Sequence, residues 1–173
     1  MLKPSWNYIC NKFKDYNGDH SVELKNVTQE INKIESLFPN NIRVGLIHAD
    51  LFKDNIFFNQ HNQVSGIIDF FFTCSDSIVY DLATLVNAWF FSNNLFSEMD
   101  FQLFINKYFE LIKWEDEEKK LFNFYLKASA IRFFLTRLYD LNFNNHGQVK
   151  HKNPIEFYEI LHFHKKNNLQ SFL

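Results

Sequence analysis

The spacing of three polar residues limits the folds open to this chain more than any other feature of its sequence. Asp50 and Asn55 are separated by four residues, and Asp69 follows fourteen residues after Asn55. The apolar segment 44–47 precedes Asp50, and residues 64–68 form a second apolar run. This order predicts a loop after a strand, then a short hairpin, with the second acidic residue on the return strand. The fold must therefore bring a carboxylate, an amide and a second carboxylate into one small region.

These three residue types suit phosphoryl transfer from a nucleotide. Asp50 is the candidate base. The pKa of an Asp, about 3.9, is far below that of an alcohol, so Asp50 would orient the hydroxyl and accept its proton late in the transfer. Asn55 and Asp69 are the candidate ligands of Mg²⁺, which prefers oxygen ligands in octahedral geometry with nucleotide phosphates completing the shell. A polar turn between two strands is the alternative, but the preceding strand and the later Asp69 favour a site.

Three further residues lie near this motif in the sequence. His48 is grouped with Asp50 in the predicted catalytic loop, where a backbone hydrogen bond that holds the loop is favoured over a chemical role. Asp54 is either part of a surface pair with Lys53 or a group that faces the substrate and the phosphates. Asp81 is expected to cap or brace the start of a helix close to the catalytic loop.

Apolar periodicity predicts the remaining secondary structure. Helical spacing is present at residues 6–13, 27–38, 80–90, 101–112 and 121–138, and again from 153 onward. Strands are predicted at 44–47, 56–58 and 64–68, with a polar turn at 59–62. The chain is expected to be helical throughout after residue 76. The prediction is one domain over residues 1–173, α+β and mainly α, with a small catalytic β-hairpin packed among helices.

Composition excludes several classes of protein. The 173 residues suffice for one domain with a substantial core, and the net charge of −2 gives no long-range attraction to nucleic acid or to a membrane surface. No apolar run approaches the length of a membrane span, and the first residues lack the apolar region of a signal peptide. Cys10 and Cys74 follow no metal or redox spacing. We therefore expect a cytoplasmic protein without nucleic-acid or membrane partners.

The motif and the segments around it resemble a known group of small-molecule kinases. His48-Ala49-Asp50 with Asn55 resembles the catalytic loop of the aminoglycoside phosphotransferase and choline kinase superfamily, where Ala replaces the Arg of protein kinases. Within that superfamily the chain is similar to bacterial homoserine kinases of the phosphotransferase-like type, but only to their C-terminal lobe. The matching segments are 45–55, 66–70, 80–83, 86–89, 132–140 and 152–157.

The resemblance implies the C-terminal lobe of a protein-kinase-like fold. It implies transfer of the γ-phosphate of ATP to the hydroxyl of L-homoserine, on the route to threonine, with Asp50 as base and Mg²⁺ held by Asn55 and Asp69. The substrate pocket would lie between the catalytic loop and the later helices. Its candidate residues are Asp54, Asn87, Trp89, Arg132, Arg137, Tyr139 and Asp140. The alternatives are ion pairs within the helix bundle for the two arginines and a core position for Trp89.

The chain departs from that family because it lacks a recognisable N-terminal lobe for ATP. Its glycines are Gly18, Gly45, Gly66 and Gly147, which leaves no glycine-rich phosphate loop. We expect this polypeptide alone to bind ATP weakly, with a separately encoded N-terminal lobe as candidate partner. A split gene, a truncated reading frame or a partial chain would each explain this. Some of the 22 Phe residues would then cover a surface that another domain buries. The competing functions are an aminoglycoside or choline/ethanolamine type kinase and a non-catalytic remnant.

Overall fold

Helices dominate the part of the chain that the computed structural model describes, which comprises residues 2–39, 42–144 and 151–173, with side chains from residue 6 onward. The helices are α1 (Leu2–Lys12), α2 (Ser21–Ile34), α3 (Ile78–Trp89), α4 (Glu98–Leu111), α5 (Asp116–Phe143) and α6 (Ile155–Lys166). The strands are β1 (Val44–Ile47), β2 (Ile56–Phe58), β3 (Val64–Ile67), β4 (Cys74–Ser77), β5 (Phe91–Ser92) and β6 (Leu95–Phe96). The fold class, α+β and mainly α, is confirmed. None of the described helices is long and apolar enough to cross a membrane.

Helix α5 is the central element of the core. Its start is fixed by a capping box, in which the side chains of Glu115 and Glu118 each accept a hydrogen bond from the other's backbone N–H. The acidic first turn of α5 thus contributes to its own cap. The helix packs against α3, α6 and α1, and Phe122, Leu126 and Phe134 on it are fully buried. Each such side chain contributes about 1.5–3 kcal/mol through removal of its apolar surface from water.

Two strand pairings go beyond the sequence prediction. Strand β4 pairs antiparallel with β1, so the strand before Asp50 has a partner that follows the catalytic hairpin. Strands β5 and β6 form a second hairpin, so the expectation that only helices follow residue 76 is wrong. Its turn residues Asn93 and Asn94 have φ values of 49° and 63°. Asn tolerates this left-handed conformation, which a tight two-residue hairpin turn requires.

The hairpin β2–β3 forms as predicted, but it lies at the surface. Phe57 and Phe58 on β2 are each about half exposed, and the register shifts between them through a bulge or irregularity. Strand β3 ends at Ile67, so Asp69 is not on the return strand as expected. Instead Asp69 has a left-handed backbone, with φ of 62°, and precedes the 3-10 turn Phe70–Phe72. A short polar side chain makes this conformation accessible to Asp.

A buried polar pair connects α3 with α5 and α6. The amide nitrogen of Asn87 donates to the Leu126 carbonyl at 2.9 Å, and its Oδ1 lies 2.8 Å from Nε2 of His164. Both side chains are almost completely buried. Burial, followed by the charge of Lys127, lowers the pKa of His164 to about 3. The imidazole is therefore neutral in the folded protein and donates to Asn87 through Nε2.

We expect His164 to make the fold sensitive to acid. An unfolded His has a pKa of about 6.5, so below that pH the unfolded chain binds a proton that the folded chain excludes. The free energy of unfolding should fall by about 1.4 kcal/mol between roughly pH 7.5 and 5.5 from this residue alone. His164→Gln keeps an N–H donor for Asn87 and should remove this part of the loss. Urea unfolding at both pH values measures this change in the free energy of unfolding. An equal decrease in His164→Gln would contradict the role assigned to His164.

Candidate active site

The loop after β1 is held by one carboxylate and one guanidinium. Oδ2 and Oδ1 of Asp81, in the first turn of α3, accept hydrogen bonds from the backbone N–H groups of His48 and Ala49 at 3.1 and 2.7 Å. Arg132 of α5 donates to the Ala49 carbonyl and, at 3.0 Å, to the Tyr80 hydroxyl. Ala49 has a φ of 64°, which is unfavourable for a residue with a Cβ. The loop therefore takes its shape from side chains that lie outside it.

His48 links this loop to the end of the catalytic hairpin. Its Nε2 lies 2.9 Å from the carbonyl of Ile68, and its Nδ1 accepts from the backbone N–H of Asp50 at 3.2 Å. Both ring nitrogens are thus used by backbone groups, which assigns the proton to Nε2. The ring is buried and packs against Phe70. This arrangement gives His48 a positioning role beside Asp50.

Asp50 and Asn55 are joined directly. The Asn55 amide nitrogen donates to the Asp50 backbone carbonyl at 2.8 Å and to Oδ2 of Asp50 at 3.2 Å. Because the NH₂ group is committed to Asp50, Oδ1 of Asn55 is the atom left for a cation. The Ile68 N–H donates to the Asn55 carbonyl at 3.0 Å, which places Asp69 one residue away from this contact. The three residues of the motif therefore meet, as their spacing predicted.

The electrostatic environment of Asp50 has opposing contributions. Burial raises the pKa of its carboxyl most, and the charge of Asp69 raises it further. Arg132, the Asn55 hydrogen bond and Lys152 each lower it, but the net shift is upward. An ionised Asp50 is thus less favourable in the folded chain than in water, which makes the carboxylate a better proton acceptor.

These residues open into a cleft of about 230 Å³ between the catalytic loop and α5. It is lined by Asp50, Phe52, Asp54, Asn55, Asp69, Phe72, Arg132, Phe133, Thr136, Arg137, Asp140 and Lys152. A larger cavity of about 1030 Å³ is lined by α1, α2 and their connection, away from all three motif residues. The smaller cleft is the candidate active site because it contains the candidate base and both candidate metal ligands.

Four of the seven predicted pocket residues line this cleft, namely Asp54, Arg132, Arg137 and Asp140. Asn87 is instead buried between helices, as described above. The indole of Trp89 donates to the Leu51 carbonyl at 2.9 Å and so supports the catalytic loop from behind. Tyr139 does not line the cleft, and its ring packs at a tilt against the rings of Phe143 and Tyr8.

The two cleft arginines are held by protein groups. Arg132 lies between the rings of Phe72 and Phe133, 4.9 and 4.6 Å from their centroids. Arg137 forms an ion pair with Glu156 at 2.6 Å and donates to the Asn153 carbonyl. The pairing within the helix bundle that the sequence offered as an alternative is present for Arg137. Glu156, in the first turn of α6, is used by this ion pair.

Sequence reasoning missed the three Phe residues of the cleft and two of its polar residues. Thr136 lies between Arg132 and Asp140 at a spacing of four residues. Helical periodicity would therefore have predicted that Thr136 shares the face of α5 that lines the cleft. Lys152 could not be predicted from local sequence patterns, because its partner in the cleft, Asp54, lies 98 residues earlier in the chain. It forms a 2.8 Å ion pair with Asp54, and its hydrogen bond is the main cause that lowers the pKa of Asp54.

The donor set is suited to a hard cation that shares its shell with a ligand. No cluster of three His, Cys, Asp or Glu able to hold a metal ion occurs within residues 2–39, 42–144 and 151–173. Asn55 and Asp69 supply oxygen atoms, which Mg²⁺ and Ca²⁺ prefer over nitrogen or sulfur. Two protein ligands leave most of an octahedral shell to phosphate oxygens and water, as is usual for Mg²⁺ bound together with a nucleotide.

Comparisons with known proteins place the chain in a family. The model of the phosphotransferase enzyme family matches residues 10–103, more than half of the chain. The chain therefore belongs to the phosphotransferase enzyme family. An ethanolamine kinase from Plasmodium vivax has the same fold, with a TM-score of 0.63 over 95% of this chain and 47% of that one, at 21% identity.

Curated relatives at higher identity are homoserine kinases. The chain is 39% identical over 138 residues to that of Rhodospirillum rubrum, covering 79% of this chain and 43% of the relative. It is 33% identical over 164 residues to that of Rhizobium johnstonii, covering 93% and 51%. The chain thus spans about half the length of the curated relatives it matches.

We expect Asp81→Asn to destabilise the protein. An Asn side chain offers only one oxygen, so its NH₂ group would face one of the two buried N–H donors of the loop. An unsatisfied buried donor costs about 1–3 kcal/mol, and urea unfolding would measure this loss. Asp15→Asn, at an exposed position, is the control and should change stability by less than about 0.5 kcal/mol. Equal stabilities of the two variants would contradict the bracing role.

We expect Asp50→Asn to raise the thermal unfolding midpoint near neutral pH. The raised pKa means that the ionised carboxylate opposes folding, and a neutral amide removes that penalty. The gain should shrink as pH falls, because wild-type Asp50 then becomes protonated in both states. Asp54→Asn is the matched control and should give no gain, since Lys152 lowers the pKa of Asp54. A midpoint difference that does not depend on pH would contradict this account.

Proposed function

We propose that this chain is the catalytic lobe of a homoserine kinase, which transfers the γ-phosphoryl group of ATP to the hydroxyl of L-homoserine. The products are ADP and O-phospho-L-homoserine, an intermediate on the route to threonine. The observation that carries the proposal is the direct Asp50–Asn55 contact, with Asp69 beside it, in one cleft. The identity to homoserine kinases and the family membership support the choice of substrate and reaction.

Asp50 is the base in this proposal. Its carboxylate accepts a hydrogen bond from the homoserine hydroxyl and aligns that oxygen with the γ-phosphorus. As the new O–P bond forms and the bond to the β-phosphate oxygen breaks, the hydroxyl proton passes to the Asp50 carboxylate and ADP leaves. Positioning supplies much of the catalysis, because the transition state of phosphoryl transfer is loose. The raised pKa of Asp50 favours this late proton transfer.

Asn55 Oδ1 and the Asp69 carboxylate would hold Mg²⁺. The ion would neutralise charge on the phosphates of ATP. The hydrogen bonds from Asn55 to Asp50 fix the amide so that its oxygen, rather than its nitrogen, is available. Asn55 takes part in the backbone contact at the base of the hairpin and Asp69 lies one residue beyond its partner Ile68, so this contact holds the two residues near each other.

An ATP-binding N-terminal lobe, on a longer polypeptide or separately encoded, is the proposed partner. Support comes from an exposed apolar surface formed by β1, the β2–β3 hairpin and the segment that follows the hairpin. Its exposed members are Val44, Leu46, Phe57, Phe58, Val64, Ile67, Ile68, Phe70 and Phe71, of which Leu46 and Phe71 are 83% and 84% exposed. Apolar surface of this extent is typical of an interaction site. Asn55 and Asp69, which would meet the phosphates, lie just before β2 and just after β3. The thiols of Cys10 and Cys74 fit a cytoplasmic location.

The test joins this chain to the ATP-binding lobe of the Rhodospirillum rubrum enzyme and measures ADP release in a coupled assay. L-homoserine should be phosphorylated, and Asp50→Asn should lower the rate on the order of 10²–10⁴-fold. Asp15→Asn, which is exposed and lies far from the cleft, should retain the wild-type rate. The substrate panel includes an aminoglycoside, choline and ethanolamine. Activity with one of these and none with homoserine would make the substrate assignment wrong. No activity with any of them would favour a non-catalytic remnant.

A further inference from the structure

We infer that the Asp54–Lys152 ion pair at the cleft is the recognition site for the two opposite charges of a zwitterionic α-amino acid. The substrate carboxylate would pair with Lys152 and its ammonium with Asp54, in place of their present contact. This inference rests on the proposed function and deepens it. It assigns recognition of the substrate class to two side chains that are distinct from the residues of phosphoryl transfer.

The cations of the cleft point to Lys152. Arg132 is buried, stacked between two rings and bonded to the catalytic loop and to Tyr80. Arg137 is buried and paired with Glu156. Lys152 is different, because its side chain is 56% exposed and its ion pair is with another exposed group. Among the described residues that line the cleft, Lys152 is therefore the cation that an incoming carboxylate can engage at least cost.

The anions of the cleft point to Asp54 by the same reasoning. Asp50 and Asp69 are assigned to the transfer chemistry. Asp140 accepts a 2.6 Å hydrogen bond from Asn144. Asp54 is 62% exposed and bonded to Lys152. It lies on the short 3-10 turn Lys53–Asn55, directly beside a candidate metal ligand and four residues from the base.

The pair is close to the reacting groups and easily exchanged. Lys152 lies near enough to Asp50 for its charge to affect that carboxyl, so a substrate anchored at the pair has its hydroxyl within the same cleft. Lys152 also lies over the ring of Phe52, 5.2 Å from its centroid, which keeps the ammonium in place without a strong bond. Exposed ion pairs contribute little to stability. A ligand that carries both charges in its own structure can therefore replace the internal pair.

The experiment measures dissociation constants of three ligands for the chain by ligand-observed NMR titration. L-homoserine carries both charges, 3-aminopropan-1-ol lacks the carboxylate, and 4-hydroxybutyrate lacks the ammonium. Lys152→Met should weaken homoserine about 10-fold, since a contact to a charged group is lost, and should not weaken 3-aminopropan-1-ol. Asp54→Asn should weaken homoserine about 10-fold and should not weaken 4-hydroxybutyrate. Lys53→Met, on the same turn but outside the cleft, is the control and should leave all three unchanged.

Two outcomes would overturn the inference. One is the absence of homoserine binding to the wild-type chain. The other is a loss of affinity in Lys152→Met that is not specific to the carboxylate. Such a loss would be equal for homoserine and 3-aminopropan-1-ol, or would also occur in Lys53→Met. The kinase assay is independent of this titration. Ligand discrimination that follows the expected pattern, together with a joined enzyme that does not phosphorylate homoserine, would reject the proposed reaction and leave the charge-pair site standing.

Discussion

The carboxylate of Asp81 holds the catalytic loop in a backbone conformation that the loop would otherwise avoid. It accepts two consecutive N–H groups, and the second belongs to Ala49, whose positive φ costs on the order of 1–3 kcal/mol. Arg132 holds the carbonyl of the same residue. A strained residue fixed at both ends by α3 and α5 turns the next side chain, Asp50, into the cleft. The helical core thereby determines where the Asp50 carboxylate lies.

Other side chains stabilise the same loop through hydrogen bonds to backbone groups. His48 connects the loop to the carbonyl of Ile68, the residue before Asp69. Asn55 donates a hydrogen bond to the carbonyl of Asp50 in the same loop. Trp89 holds the loop carbonyl at Leu51. Most of these contacts join segments that are far apart in sequence but share the α3–α5 core. The polar side chains around Asp50 thus serve mainly to position the backbone, and Lys152 is the exposed cation among the described residues that line the cleft.

Sequence alone was sufficient where interactions are short in range or periodic. The helices followed from apolar spacing, and the Asp50–Asn55 contact followed from a five-residue separation. The β5–β6 hairpin was missed although the adjacent Asn93 and Asn94 carry the signal of a tight turn. Long-range pairing was not readable, because nothing local to Lys152 indicates a partner 98 residues away. Asn87 was wrongly predicted to line the pocket for a related reason. The sequence pattern of a helix does not show whether its Asn faces a cleft or a buried His.

The hydrogen bond from the Ile68 N–H to the Asn55 carbonyl closes the base of the β2–β3 hairpin. The spacing of the two candidate metal ligands is consequently a property of main-chain geometry and does not depend on the strand side chains. Loop tips of this kind tolerate insertions. In evolutionary terms, we expect insertions of different length within residues 59–63 to create new recognition surfaces while the ligand spacing stays the same.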